Sequence, residues 1–173
     1  MNLVDLSRAI AAFERTLVTT GSAFDRYAAG DKRALTEQQK RGLILFIGKA
    51  ACSECHNGPN FTDNKFHSLG LLPGQKEDPD MGHFAVTKSP ADRQAFKTPS
   101  LRSVTQQSHF MHNGSIANLA QVIAFYDDGG GTGPKSNLLF KLHLTDAEQA
   151  DLLAFLNALA GHVPEDFRST DMK

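Results

Sequence analysis

The segment Cys-Ser-Glu-Cys-His at residues 52–56 constrains this chain more than any other, because it contains both of its cysteines. The two thiols are separated by two residues, and an imidazole follows the second thiol directly. One tight turn is enough to place the three side chains next to each other. Any fold for these 173 residues must therefore leave room for what Cys52, Cys55 and His56 bind together.

The C-x-x-C-H spacing is the sequence pattern for covalent attachment of c-type haem. Its two thiols add across the two vinyl groups of the porphyrin, which requires a short, fixed distance between them. The adjacent His56 then lies beneath the ring and gives its imidazole to the iron. We therefore predict one haem c, bonded through Cys52 and Cys55 and ligated by His56.

Three other uses of the cysteine pair are open. A structural zinc site needs four ligands, and only histidines without the usual spacing could complete the set here. A thioredoxin-like redox pair expects a preceding strand and a βαβ frame, whereas this pair follows a helical pattern and precedes a loop. A plain structural disulfide is the third alternative.

Four stretches have the apolar period of amphipathic helices. Their approximate limits are 3–18, 36–49, 118–128 and 144–161. The second and fourth begin with capping boxes, formed by Thr36 with Gln39 and by Thr145 with Glu148. The fourth is predicted to end at Gly161, a natural left-handed cap.

Residues 57–118 show no long period and are punctuated by glycine, proline and aspartate. A loop of that length is unusual in a compact domain, and a bound haem would supply the apolar core that its sequence lacks. No strand pattern is convincing. We predict an all-α fold, a cytochrome c-like helical domain with long loops wrapped around the covalently attached haem, and a single domain over 1–173.

Charge and hydropathy exclude two classes of partner. A formal net charge of −1 gives no basic surface for nucleic acid. No window approaches the ~18 apolar residues of a membrane span. The first residues lack the layout of a secretory signal, but haem attachment to C-x-x-C-H takes place outside the bacterial cytoplasm. We therefore expect a periplasmic protein whose signal has been removed or replaced.

A second residue is expected on the face of the iron opposite His56. The candidates downstream are Met81, His83, His109, Met111, His112, Tyr126, His143 and His162. Spacing alone favours Met111, because small cytochromes c place a methionine in a loop well after the motif. Tyr126 lies on the apolar stripe of its helix and points inward. Its alternative interpretation is a buried core tyrosine with a hydrogen-bonded hydroxyl.

Five segments, which lie in order along nearly the whole chain, resemble the corresponding segments of one protein family. They are AIAAFERTLVTTGSAFDRYAAGD, CSECHNGPNFTDNKFHSLGL, AFKTPSLRSV, FMHNGSIANLAQVIAFYDDGG and LTDAEQADLLAFLNAL. Together they resemble the bacterial di-haem cytochrome c peroxidase family, and within it the branch that contains the methylamine-utilisation enzyme MauG. The likeness is to the C-terminal haem domain of that family.

The resemblance implies roles for individual residues. Cys52 and Cys55 match the thioether cysteines, and His56 matches the proximal ligand. Tyr126 stands where ordinary peroxidases of the family have a methionine ligand and the MauG branch has a tyrosine ligand. The resemblance therefore favours Tyr126 over Met111 as sixth ligand.

Two further positions match the family. Arg102, in PSLRSV, matches an arginine placed near the haem propionates, where a buried carboxylate would need such a partner. Its alternative interpretation is a solvated loop arginine. His67, in NKFHSLG, matches a recurrent histidine to which we assign no role. The family's LTAPY loop, whose backbone carbonyls help to bind calcium, is replaced by the sequence QQSHF at 106–110, and calcium is not predicted.

A single C-x-x-C-H implies that the family's N-terminal peroxidatic haem domain is absent from this sequence. An iron with two protein ligands has no position for peroxide, so we assign no catalytic residue. We predict the electron-relay domain of a di-haem peroxidase/MauG-like oxidoreductase, with a low potential if the ligand is a phenolate. Its partners would be the N-terminal haem domain or a separate haem-bearing chain, and a redox protein. The alternative is an autonomous single-haem electron-transfer cytochrome c.

Overall fold

Helices make up most of the regular structure in this computed structural model, which describes residues 2–71 and 80–163. The α-helices are α1 Leu3–Glu14, α2 Ala23–Ala28, α3 Glu37–Ile47, α4 Phe84–Thr87, α5 Leu119–Asp127 and α6 Asp146–Asn157. Short 3₁₀ turns occupy Cys52–Glu54, Pro90–Asp92 and Val104–Gln106. The prediction of a mostly helical chain with long loops is confirmed.

Two short strands depart from the all-α prediction. Strand β1, Phe66–Ser68, pairs antiparallel with β2, Ala95–Lys97, so that His67 lies opposite Phe96. Three residues are too few to show the period-two alternation by which a strand is recognised in a sequence. The ladder depends instead on pairing between distant parts of the loop predicted at 57–118.

The predicted capping boxes form at both helices. The Thr36 hydroxyl accepts a hydrogen bond from the Gln39 amide at 3.2 Å, and the Thr36 amide donates to the Gln39 side chain at 2.9 Å. Thr145 and Glu148 make the same reciprocal pair at the start of α6. Such a cap stabilises a helix by about 1 kcal/mol, which fixes where α3 and α6 begin.

The core lies where α3 crosses α6. A Cβ on Gly42 of α3 would lie 2.0 Å from the carbonyl oxygen of Asp151, so only glycine permits this approach. Phe155 of α6 is completely buried, and its ring lies 5.1 Å from that of Phe46. Phe155 is therefore a core residue, as the apolar period of this stretch indicated.

The C-terminus of α6 differs from the prediction. The helix ends at Asn157 with Ala158 as its cap, and Gly161 is not in the left-handed region. Gly161 is needed for a close approach instead, because a Cβ there would lie 2.7 Å from the Thr20 carbonyl oxygen. Thr20 and His162 form an isolated β-bridge that joins the two ends of the domain.

Helix α1 forms where its period predicted, but none of its residues is buried. Its N-cap, Asn2, makes a capping box with Asp5. Within 2–71 and 80–163, no helix is both long and apolar enough to cross a lipid bilayer.

Candidate functional site

A cavity of about 530 Å³ opens between the long loop and helices α3, α5 and α6. Its size falls within the ~300–1,000 Å³ of typical small-molecule and cofactor sites. Its walls are mainly apolar, and they include the six residues that the sequence favours as haem contacts: Cys52, Cys55, His56, Arg102, Met111 and Tyr126. The fold therefore brings residues from four separate segments to one space.

Only some of the candidate sixth ligands line the cavity. His109, Met111, His112 and Tyr126 are among its lining residues. Met81, His83, His143 and His162 are not among the lining residues in the described part of the chain. The structure thus reduces eight candidates to four without choosing between Met111 and Tyr126.

The cysteine pair lies on one tight turn directly after α3. Residues Cys52–Glu54 form a 3₁₀ turn, entered through the left-handed backbone of Ala51 at φ 50°. The amides of Cys55 and His56 both donate to the carbonyl of Cys52, at 3.3 and 2.9 Å. These bonds hold both thiols and the imidazole at the same end of the cavity.

His56 has the hydrogen bonding of a metal-binding histidine. Its Nδ1 lies 3.0 Å from the carbonyl oxygen of Phe61, and a carbonyl can only accept, so Nδ1 bears the proton. Burial lowers the pKa of His56, which keeps the ring neutral. Nε2 is therefore left with a lone pair, and the Phe61 carbonyl fixes the tautomer and the ring orientation.

The two thiols are protonated at neutral pH. Burial raises the pKa of Cys52 to about 12 and also raises that of Cys55. A thioredoxin-like pair needs the opposite shift, because a lowered pKa is what makes its nucleophilic thiolate. The two cysteines are also not joined by a disulfide.

Tyr126 lies at the end of α5, and the side chain contributes to the cavity wall. Burial, and next the nearby sulfur atoms of Cys52 and Cys55, raise its pKa well above the ordinary value of a phenol. Its hydroxyl has no hydrogen-bond partner within 2–71 and 80–163. The interpretation as a core tyrosine with a satisfied hydroxyl therefore has no support in this part of the chain.

Met111 lies in the loop before α5, in the left-handed region at φ 69°. The neighbouring backbone is fixed by an antiparallel bridge between Phe110 and Ile116. Met111 and Tyr126 thus reach the same cavity from a loop and from a helix.

Arg102 is not a solvated loop arginine. Its guanidinium donates two hydrogen bonds to the carboxylate of Asp25, at 3.0 and 3.1 Å. Nε donates to the carbonyl of Pro59 at 2.8 Å, and Nη1 donates also to that of Thr19 at 3.2 Å. The side chain is 15% exposed, and these bonds tie the cavity wall to helix α2.

A polar cluster beside the cysteine pair was not predicted from the sequence. His67 Nε2 lies 2.8 Å from Asp63 Oδ2, and one donor atom each of Cys55, Asp63 and His67 lie within 4.8 Å of one another. Burial opposes ionisation of Asp63, but hydrogen bonds, first from His67, outweigh it and lower its pKa to about 2. An i, i+4 spacing predicts contact only on a helix, and Asp63 and His67 lie in a loop and in β1, so the sequence did not indicate this pair.

That cluster also bears on the zinc alternative. Among the described residues it is the only group of three or more such side chains that could hold a metal ion. A structural zinc site needs four ligands, and the cluster offers three. The residues fit haem c better: an apolar cavity, two thiols on one turn, and a neutral imidazole with its second nitrogen already hydrogen-bonded.

Comparison with known proteins points to the same group. No family model matches the sequence. The chain is 43% identical over 190 residues to the cytochrome-c peroxidase IdrP1 of Pseudomonas sp. strain SCT, covering 92% of this chain and 50% of the relative. It is 41% identical over 155 residues to the methylamine utilization protein MauG of Methylorubrum extorquens, covering 89% of this chain and 43% of MauG.

A solved structure agrees with the sequence relatives. A MauG-like protein associated with microbial copper homeostasis superposes with a TM-score of 0.80 at 33% identity, over 94% of this chain and 58% of that protein. The chain spans about half the length of the curated relatives it matches. With this similarity along nine-tenths of its sequence, the chain belongs to the bacterial di-haem cytochrome c peroxidase and MauG family and corresponds to that family's C-terminal haem domain.

Proposed function

We propose that this chain is the electron-relay domain of a di-haem peroxidase- or MauG-like oxidoreductase. The observation that supports this best is the arrangement of a neutral His56 beside two protonated thiols in an apolar cavity. A relay domain needs a shielded redox centre rather than an open reaction site, and this cavity suits such a centre.

The residues that would hold one haem c are Cys52 and Cys55, through thioether bonds, and His56, through Nε2. The hydrogen bond from Nδ1 to the Phe61 carbonyl would orient the imidazole and make it a better donor. The haem would supply reversible one-electron oxidation and reduction. Phe46 and Leu152 contribute to the apolar wall that excludes water from it.

We propose Tyr126 as the sixth ligand, with Met111 as the alternative. Its hydroxyl has no competing hydrogen bond in the described residues, and α5 fixes its position. A phenolate is a hard anionic donor that favours oxidised iron, whereas a thioether raises the potential. Two protein ligands leave no position for peroxide, so we assign no catalytic residue to this domain.

Arg102 is proposed as a partner of the haem propionates. It lines the cavity, and its bonds to Asp25, Pro59 and Thr19 use four of the five guanidinium N–H groups. The remaining N–H, on Nη2, is available for a carboxylate.

The relatives imply that a second haem-bearing unit works with this one. We propose the family's N-terminal haem domain, or a separate haem-bearing chain, as its partner, together with a redox protein that exchanges electrons with the pair. Residues 1–173 would form one haem domain, although residue 1, residues 72–79 and residues 164–173 lie outside the described residues. The expected compartment is the periplasm, and no calcium site is proposed.

An autonomous single-haem electron-transfer cytochrome c is the second candidate. It is favoured by the single C-x-x-C-H and by a cavity in which both iron ligands would come from this chain. A peroxidase assay separates the two candidates. The relay proposal predicts little turnover by this chain alone and turnover when the second haem domain is supplied.

Haem attachment is tested first. The chain should be produced in a host that matures c-type cytochromes and studied by intact mass and the pyridine haemochrome spectrum. We expect one covalent haem, lost when Cys52 and Cys55 are both changed to serine. A folded, colourless product with the mass of the bare polypeptide would overturn the proposal.

A further inference from the structure

Tyr126, the proposed sixth ligand, lies in the last turn of helix α5, where a helix is held least firmly. Helix α5 has only nine residues, and Tyr126 is the last but one of them. The final carbonyl groups of a helix lack intrahelical partners, so its last turn opens easily unless other contacts hold it. A metal ligand, in contrast, must stay within about 0.5 Å of its position. The end of α5 therefore needs support from outside the helix.

Asp127, the residue after Tyr126, supplies much of this support. Its Oδ1 accepts a hydrogen bond from the amide of Leu144 at 2.8 Å, and its Oδ2 accepts one from Nε2 of Gln149 at 3.1 Å. Its main-chain carbonyl accepts a third, from the amide of Leu142 at 3.0 Å. Three hydrogen bonds thus join the end of α5 to the start of helix α6 and to the segment before it.

The segment that Asp127 holds is part of the cavity wall. Leu142 and Leu144 are each 9% exposed, and both line the cavity together with Tyr126. A buried amide such as that of Leu144 needs an acceptor, and the Asp127 carboxylate provides it. The carboxylate therefore fixes Tyr126 relative to the wall of the cavity in which haem would bind.

Lys135 supports the turn that follows Tyr126. Gly129 has a left-handed backbone, at φ 82°, and its amide donates to the Tyr126 carbonyl at 2.9 Å. The Lys135 ammonium donates to the carbonyls of Gly129 and Gly131, and a lysine near a helix C-terminus also suits the helix dipole. The Gly131 amide donates in turn to the carbonyl of Leu69, which lines the cavity. The turn after α5 is therefore fixed to the cavity wall as well.

We propose that Asp127 is a positioning residue for the sixth ligand, with Lys135 as a second, and that together they hold Tyr126 in place for binding to the iron. Neither is among the lining residues in the described part of the chain, so each acts through Tyr126. Loss of this support would allow Met111, or an added small ligand, to compete with Tyr126. The inference rests on the proposed function, because it requires a bound haem with Tyr126 as its ligand.

The test measures how tightly imidazole, an added iron ligand, binds to the haem-loaded chain. Imidazole can bind only when Tyr126 has left the iron, so its apparent affinity reports how often this happens. Asp127→Ala removes both side-chain hydrogen bonds. Asp127→Asn keeps an oxygen for the Leu144 amide, and the Gln149 amide can turn to accept from the new NH₂ group.

Asp128→Ala is the matched control for Asp127→Ala. It removes the same charge one residue further on, from an exposed side chain that makes no hydrogen bond among the described residues. For Lys135→Met the control is Lys141→Met, which also removes a lysine, at an exposed position.

We expect Asp127→Ala to bind imidazole at least about tenfold more tightly than the unchanged chain, because hydrogen bonds to a charged group are lost. Its visible spectrum should move towards that of Tyr126→Phe. Asp127→Asn and Asp128→Ala should stay within about twofold of the unchanged chain. Lys135→Met should act in the same direction as Asp127→Ala, and Lys141→Met should not.

A purely structural role would lower stability without this change at the iron. The measurements are therefore made well below the melting temperature of each variant, and Asp127→Ala is also combined with Tyr126→Phe. If Asp127 acts through Tyr126, its substitution should change imidazole affinity little once the phenol is absent. If Asp127→Ala does not fold, the comparison of Lys135→Met with Lys141→Met decides the question by the same criteria.

Two outcomes would overturn the positioning proposal. In one, Asp127→Ala binds imidazole no more tightly than Asp128→Ala does. In the other, the effect of Asp127→Ala is undiminished in the Tyr126→Phe chain. Failure of the proposed function is distinguishable, because intact mass would then show no covalent haem on the unchanged chain or on any variant.

Discussion

The guanidinium of Arg102 donates two hydrogen bonds, of 3.0 and 3.1 Å, to the carboxylate of Asp25. This pair joins the cavity wall to helix α2, and both side chains are largely withdrawn from water. Burial disfavours the charged form of Asp25, but hydrogen bonds, first from Arg102, reverse the effect and lower its pKa. The residue proposed to contact haem is therefore also part of the framework of the domain.

Arg102→Ala and Asp25→Asn should both destabilise the domain, because each breaks a bidentate pair and leaves polar groups without partners. We expect a loss of about 1–3 kcal/mol in the free energy of unfolding, measured by urea titration. Lys40→Ala removes an exposed ion pair with Glu37, which solvent screens, and should change the urea midpoint much less.

Two variants, Arg102→Lys and Asp25→Asn, test the propionate role. Arg102→Lys should shift the midpoint potential of the haem-loaded protein, whereas Asp25→Asn should change stability with little effect on the potential. Equal shifts in both variants would mean that Arg102 acts only on the framework.

The hydrogen bond between Asp63 and His67 leads us to expect a loss of stability in acid. The folded pKa of Asp63 is about 2, below the ordinary 3.8, so its contribution is complete above pH 3.8 and is lost as the pH falls towards 2. Asp63→Asn should flatten the stability profile in that window, measured as urea midpoints from pH 2 to 6. Asp146→Asn, at an exposed carboxylate, is the control, and an equal flattening there would contradict the prediction.

Substitution of the two candidate sixth ligands, Tyr126 and Met111, should affect the visible spectrum differently. Tyr126→Phe should alter the visible spectrum and raise the midpoint potential, because an anionic oxygen donor is lost. Tyr27→Phe is the control, since it is the other tyrosine of the chain and does not line the cavity. Met111→Leu should leave the spectrum unchanged. A far-red band of methionine-to-iron charge transfer in the native protein would instead identify Met111 as the ligand.

Gly42→Ala should destabilise the domain although alanine favours helices. The added Cβ would meet the Asp151 carbonyl at 2.0 Å and force α3 away from α6. We expect a loss of about 1–3 kcal/mol or more in thermal or urea unfolding. Ile44→Ala, on the same helix at a 65% exposed position, should change stability by no more than about 0.5 kcal/mol. Similar effects at both positions would show that the helices tolerate separation.

The parts of the fold that could be predicted from the sequence are those that depend on residues close together in the chain, such as capping boxes and apolar periods. Thr36 and Thr145 mark the starts of α3 and α6 through residues only three positions away. Leu152 and Phe155 show their burial by their period. Strands β1 and β2 were missed because their pairing links distant segments, and three residues leave no pattern of their own.

The candidate site shows the same division. The C-x-x-C-H motif identified its centre, because thioether chemistry requires local spacing. The contacts between Arg102 and Asp25, and between the Asp63–His67 pair and Cys55, depend on how the loop folds back. Spacing alone favoured Met111, whereas the fold brings Met111 from a loop and Tyr126 from a helix to the same cavity.

The Cys52 thiol has consequences for the order of assembly. With a pKa of about 12 and only partial exposure, it is a poor nucleophile in the closed domain. Sulfur addition to a vinyl group would therefore occur while the polypeptide is still open, and folding would follow it. A chain that folded before the proposed haem attachment would bury the Cys52 thiol, so porphyrin would have to reach the polypeptide before it folds.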